Sequence, residues 1–192
     1  MTAIAVLNPQ SGNITSICDA LARLGREVRV VQTPDQLGEA GQIVLPGQGR
    51  FGAVMTFLKD NGWVATLRNW AASGRPLFGI CVGMQVLFDA SEEDPDIPGL
   101  GIIDGEIKRL NSPKQPMIGW SRVHWLAQGF PDGAAYFVNS YVLQHHPNAL
   151  AITSYGERFC CALARGSVMA VQFHPEKSGA WGQELLKKCL VT

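Results

Sequence analysis

In roughly the first eighty residues, short runs of aliphatic and β-branched side chains alternate with stretches whose apolar positions recur at three- and four-residue spacing. Residues 3–7, 27–31, 42–45 and 77–80 read as strands. Between the first two, Ile14, Ile17, Cys18, Leu21 and Leu24 share one face of a helix, and Gly25 offers a left-handed stop. Further helices are expected over 51–58 and 63–72. Strand–helix–strand alternation requires right-handed crossovers and therefore a parallel sheet, and ligands of such sheets gather beyond the carboxyl ends of the strands. Chemistry is to be sought at those ends.

From about residue 101 the pattern changes to strands joined by turns, at 103–110, 118–125, 136–143, 150–155, 160–164 and 168–173, which suits an antiparallel or mixed section. A final amphipathic helix over 179–190 is expected to turn Trp181, Leu185 and Cys189 inward. Segments 94–99 and 111–116 are exposed connections too short for domain linkers. The expected architecture is a single α/β domain over residues 1–192, with a mixed, largely parallel central sheet flanked by helices and a flavodoxin-like first half.

A chain of 192 residues with 46% hydrophobic and 17% charged residues has the make-up of one ordinary folded domain. Sixteen basic residues balance sixteen acidic ones, which leaves no electrostatic footprint for nucleic acid or an anionic membrane. No apolar run approaches the ~18–20 residues of a membrane span, and the first residues lack the basic flank of a secretory signal, so a cytoplasmic location is expected. The five cysteines, Cys18, Cys81, Cys160, Cys161 and Cys189, are odd in number and show no C-x-x-C spacing. That argues against a disulfide framework and against a zinc site, and no metal or cofactor is expected. Four of them lie in apolar surroundings and read as small hydrophobes.

Cys81 differs because it stands between a strand and a helical pattern in the frame Gly79-Ile80-Cys81-Val82-Gly83. Glycines two before and two after a nucleophile allow a sharp strand-to-helix turn that leaves the thiol projecting at the sheet edge. The helix starting there would aim free N–H groups at the sulfur and favour the thiolate. Among four histidines, His174 follows the strand at 168–173, so a parallel strand would deliver it to the same edge. Glu176, two residues on, reaches the far imidazole nitrogen and would fix its tautomer. His145 and His146 read as a solvated turn before Pro147, and His124 as a strand position with local hydrogen bonds. The glycine-rich turn Pro46-Gly47-Gln48-Gly49 ends another strand, and its backbone could donate to an oxyanion together with the N–H of Val82.

These residues, with Met117-Ile118-Gly119-Trp120, Tyr136-Phe137-Val138, Ser140-Tyr141 and the run Gln172 to Ser178, resemble along the whole chain the class I (triad) glutamine amidotransferases. Within them the likeness is to the glutaminase subunits that serve imidazole glycerol phosphate synthesis. The resemblance implies a Cys81 nucleophile, His174 as general base and acid, Glu176 as orienting carboxylate, and an oxyanion hole from Gly47, Gln48, Gly49 and Val82. It assigns Gln85, Ser140 and Tyr141 to holding glutamine. It also implies a heterodimer with a (β/α)8-barrel cyclase subunit that receives the ammonia, with Asn13, Trp120, Tyr136 and Lys177 at the interface.

The chain departs from the family's usual pattern at Asn139, where histidine is common, at Ser121, where asparagine is usual, and at Gln48, where valine is usual. The opening Asn8 to Asn13 also lacks the common aspartate–tyrosine pair. No triad member is affected. The alternatives at this point are a paralogous glutaminase feeding another acceptor such as a sugar-modifying amidotransferase, a non-catalytic regulatory homologue, and a cysteine peptidase or other small hydrolase on the same elbow, which the run His174-Pro175-Glu176 and Gln85 oppose.

Overall fold

A computed structural model describes residues 3–9 and 14–190. The strands are β1 (Ile4–Leu7), β2 (Val28–Val31), β3 (Gln42–Gly47), β4 (Leu77–Cys81), β5 (Ala90–Ser91), β6 (Glu106–Arg109), β7 (Met117–Trp125), β8 (Gly133–Asn139), β9 (Tyr141–Val142), β10 (Ala149–Tyr155), β11 (Glu157–Arg165) and β12 (Val168–Val171). The helices are α1 (Thr15–Arg23), α2 (Phe51–Asp60), α3 (Trp63–Ala72), α4 (Val82–Gln85) and α5 (Gly179–Cys189), with 3-10 turns at Pro34–Leu37 and Pro175–Lys177.

Nine strands form one sheet in the order β2-β1-β3-β4-β12-β11-β10-β7-β8. Its first five strands run parallel, which is the flavodoxin-like half. The remaining four pairings are antiparallel, so the parallel share is smaller than the sequence pattern suggests. The two halves differ in their burial for a reason of topology. β1, β3 and β4 are buried at every position, as strands covered on both faces by crossover helices must be. β7 alternates, with one face toward solvent.

The crossover helices are docked by their aromatic residues. Trp63 and Trp70 are buried, and their indole N–H groups donate to the carbonyls of Gln32 and Pro76 at 2.7 and 2.9 Å. Arg75 lies over the Trp70 ring 3.3 Å from its centroid. In the antiparallel half, Phe137 meets Phe159 and Phe173 edge-on at 6.2 and 5.6 Å, tying β8 and β11 to the end of β12.

Two expected strands are corrected. The run 103–110 is regular only over β6, with Ile103 buried but outside the strand. The run 136–143 is cut at Ser140 into β8, which belongs to the large sheet, and β9, which joins β5 and β6 in a separate three-stranded sheet. Its apolar character continues across the break because each piece buries part of its side chains, Phe137 in β8 and Val142 in β9. In α5 the inward residues are Gly182, Leu185 and Leu186, with Trp181 and Cys189 half-buried against the core.

Candidate active site

β4 lies between β3 and β12, all three parallel, so their carboxyl ends open on one side of the sheet. Cys81 closes β4 and is paired in register with Gly47 at the end of β3. The last register pair of β12 is Val171 with Ile80, and the chain reaches His174 three residues later. Sheet topology thus gathers the loop after β3, the thiol after β4 and the imidazole after β12.

Cys81 has φ 56° and ψ −117°, the one positive φ outside glycine among the described residues. A side chain there costs about 1–3 kcal/mol of strain, which surrounding packing must hold. The packing is backbone on backbone. A Cβ on Gly83 would come within 1.8 Å of the Leu45 carbonyl oxygen, and one on Gly47 within 2.4 Å of the Gly83 nitrogen. The helix expected after the cysteine is the single turn α4, so close backbone contact, more than a long helix dipole, defines this elbow.

The His174 side chain is 5% exposed, and its Nδ1 lies 2.8 Å from Oε1 of Glu176, whose side chain is equally buried. That leaves Nε2 for Cys81, whose sulfur is near enough to act on the imidazole. Burial alone would push His174 down, but the Cys81 sulfur and the Glu176 carboxylate outweigh it and raise the pKa to about 10. An imidazolium facing the sulfur is therefore the favoured state near neutrality. Oε2 of Glu176 is buried without a protein partner. The backbone carbonyl of His174 accepts from Ser178 Oγ at 2.6 Å, and that oxygen accepts from the Tyr136 N–H at 3.0 Å, which pins the 3-10 turn to β8.

These groups face a cavity of about 330 Å³. Gln48, Gly49, Val82, Gln85, Ser140 and Tyr141 line it, as do Cys81 and His174; Gly47 stands just behind, packed on the elbow. Gln85 is buried, and its Nε2 donates to the Tyr141 carbonyl at 3.1 Å and to Gln172 Oε1 at 2.9 Å. Gln172 in turn presents Nε2 3.8 Å from the Cys81 sulfur. The sequence reading gave Gln172 no role. It also passed over Glu93, which lines the cavity while accepting the Phe51 N–H at 2.8 Å; an acid in a polar loop carries no periodic signal.

Of the residues expected at an interface, Lys177 is exposed at the cavity, and Trp120 is 59% exposed on β7, in edge contact with half-buried Tyr136 at 6.1 Å. Asn13 lies outside the described residues. Asn139 is buried beside the cavity and donates to the Tyr141 carbonyl, while its own side-chain oxygen has no protein partner. Ser121 is hydrogen-bonded to Thr153 at 2.9 Å. His145 is exposed, His146 is in edge contact with Phe88, and His124 bonds Asp132 at 2.9 Å. Among the described residues no cluster of His, Cys, Asp or Glu could hold a metal ion, and no helix is long and apolar enough to cross a membrane.

The family model for class-I glutamine amidotransferases matches residues 5–192. The chain belongs to that family. It is 40% identical over 190 residues to an imidazole glycerol phosphate synthase subunit HisH of Carboxydothermus hydrogenoformans, covering 95% of this chain and 96% of that protein. The HisH subunit of Deinococcus radiodurans is 42% identical over 194 residues, covering 95% and 90%. The imidazole glycerol phosphate synthase hisHF of Emericella nidulans is 38% identical over 99% of this chain, which spans 38% of that longer protein. Among solved structures, a glutamine amidotransferase superposes with a TM-score of 0.82 at 23% identity, covering 98% of this chain and 97% of the other. The family fold is thereby confirmed over the described domain.

Proposed function

We propose that this chain is the cytoplasmic glutaminase subunit of an imidazole glycerol phosphate synthase, acting as one catalytic domain. The observation that carries the reading is the strained Cys81 meeting the buried His174–Glu176 pair at one cavity. HisH relatives at about 40% identity over nearly the whole chain support the acceptor pathway.

In the proposed reaction the Cys81 thiolate attacks the side-chain amide carbon of glutamine, forming the C–S bond as the carbonyl π pair moves to oxygen. Backbone N–H groups of the Gly47-Gln48-Gly49 turn and of Val82 stabilise that oxyanion, at about 3 kcal/mol per preorganised donor. His174 gives its proton to the amide nitrogen, the C–N bond breaks, and ammonia leaves. The now neutral His174 takes a proton from water, whose oxygen attacks the thioester; glutamate departs and the thiolate–imidazolium pair is restored. Glu176 holds the ring and its charge throughout. Glu93 supplies a carboxylate for the substrate's α-ammonium, Ser140 and Tyr141 hold its backbone end, and Gln85 positions Tyr141 from behind.

The ammonia passes to a (β/α)8-barrel cyclase subunit. The length of the fungal hisHF protein beyond the part matched here supports pairing with a second activity. The docking face would include Trp120, Tyr136, Lys177 and Asn13. The test is glutamate release by the chain alone, with a barrel cyclase, and with cyclase plus its nucleotide substrate. Release that rises through this series supports the reading; no release in the full complex overturns it.

A further inference from the structure

The turn after β3 must be held at both ends if its N–H groups are to meet an oxyanion. Its leading end is fixed by the register of β3 with β4 and by the contact of Gly47 on Gly83. Its trailing end enters α2 at Arg50, which provides no side-chain cap of its own. The first N–H groups of that helix are instead met from across the fold: Phe51 donates to Glu93 Oε2 and Gly52 to Asp94 Oδ2, each at 2.8 Å. Asp94 also takes Arg50 Nη2 on its other oxygen at 2.7 Å, and the same guanidinium nitrogen donates to the Glu93 carbonyl at 3.2 Å. A Cβ on Gly52 would come within 2.9 Å of the Asp94 carboxyl, so the missing side chain is what admits it.

We infer that Asp94 is a positioning residue for the oxyanion turn, clamping its trailing end through Arg50 and Gly52 while the neighbouring Glu93 faces the cavity. This deepens the glutaminase reading and rests on it. With its Arg50 end exposed to solvent, the Arg50–Asp94 ion pair contributes little to global stability. Its effect is geometric, since a donor that must find its place during the reaction forfeits the benefit of preorganisation. Because Glu93 and Asp94 are consecutive and grip adjacent N–H groups of α2, substrate seated on Glu93 and the set of the turn are mechanically linked.

The test uses the subunit in complex with the barrel cyclase and its nucleotide substrate. Asp94→Ala is expected to lower kcat for glutamate release about tenfold with KM within about twofold, the signature of lost transition-state stabilisation. Asp94→Asn keeps an acceptor for Gly52 and loses the charge toward Arg50, so it should lie between Asp94→Ala and wild type, near Arg50→Ala. Alkylation of Cys81 by iodoacetamide needs the thiolate but no oxyanion hole, and its rate should be unchanged in all three variants. An unchanged kcat in Asp94→Ala, or an alkylation rate that falls in step with kcat, overturns the clamp. Should Asp94→Ala fail to fold, Asp94→Asn decides on the same two readouts. An active wild type with indifferent variants sinks the clamp alone, whereas a wild type that releases no glutamate under any condition sinks the glutaminase reading with it.

Discussion

The four thiols other than Cys81 share a physical state that keeps them out of nucleophilic chemistry. Burial pushes Cys160 and Cys189 up to about 12 and holds Cys161 well above the ordinary thiol range, and burial with the neighbouring Asp19 raises Cys18. A diazoketone analogue of glutamine should therefore label Cys81 alone, read by peptide mass mapping, and Cys81→Ala should abolish glutamine hydrolysis with the fold intact. Labelling of any other thiol at a comparable rate would contradict this. His174 gives a second residue-scale expectation. Its pKa is raised from the ordinary 6.5 to about 10, so its contribution to stability is full below about 6.5 and lost as pH climbs through about 10. Because the Cys81 sulfur is the leading cause of the rise, Cys81→Ala should bring the imidazole titration down, as followed by NMR of ring-labelled histidine. An unmoved titration would mean that Glu176 alone sets the charge. The contact of His174 with Glu176 was legible from spacing, since a two-residue step lets a carboxylate reach back to a ring nitrogen. Gln172 was not, because its approach to the sulfur comes from strand order and not from local sequence.

At the scale of elements, the parallel half was readable because β1, β4 and β3 after Gln42 are unbroken apolar runs and each helix has one apolar face, so local pattern and tertiary burial agree; β2, with Arg29 and only Val31 buried, is the exception. α3 has the expected bounds, and β3 runs two residues further, through Pro46 and Gly47, because pairing with β4 extends it. The break at Ser140 was not readable, since only the tertiary fold decides which sheet β9 joins. The elbow's glycines make the sharpest prediction here. Gly83→Ala places a methyl 1.8 Å from the Leu45 oxygen, a backbone atom that moves only with β3. It should cost more than 2 kcal/mol in denaturant unfolding, the overpacking range being about 1–3 kcal/mol or above. Activity should fall further than stability explains, because β3 carries the oxyanion turn. A Gly83→Ala variant with wild-type stability and turnover would show that the contact relaxes freely.

For the whole molecule, the parallel half brings Cys81 and His174 together, and the antiparallel half closes one side of the cavity and presents a face beside it. On that face Ile118 and Trp120 of β7 are 61% and 59% exposed, and Val138 of β8, paired with Ile118, is also exposed. Val138 lines the cavity, so the apolar face runs to the edge of the site. Large exposed side chains on an ordered strand gain nothing for the isolated subunit, and their placement makes sense if a partner covers them. Trp120 is the natural anchor, being aromatic, central and held by edge contact with Tyr136. Trp120→Ala should therefore leave the unfolding midpoint of the isolated chain nearly unchanged, within the ~0.5 kcal/mol of an ordinary surface substitution. The same change should weaken association with the barrel cyclase at least tenfold, since anchor residues carry about 2 kcal/mol or more. Calorimetric titration of the variant with cyclase reads the affinity, and cyclase-stimulated glutamate release should recover when the cyclase concentration is raised to saturation. That recovery separates lost docking from lost chemistry. A variant that binds the cyclase as wild type does would remove Trp120 from the interface and leave the exposed face of β7 without a partner.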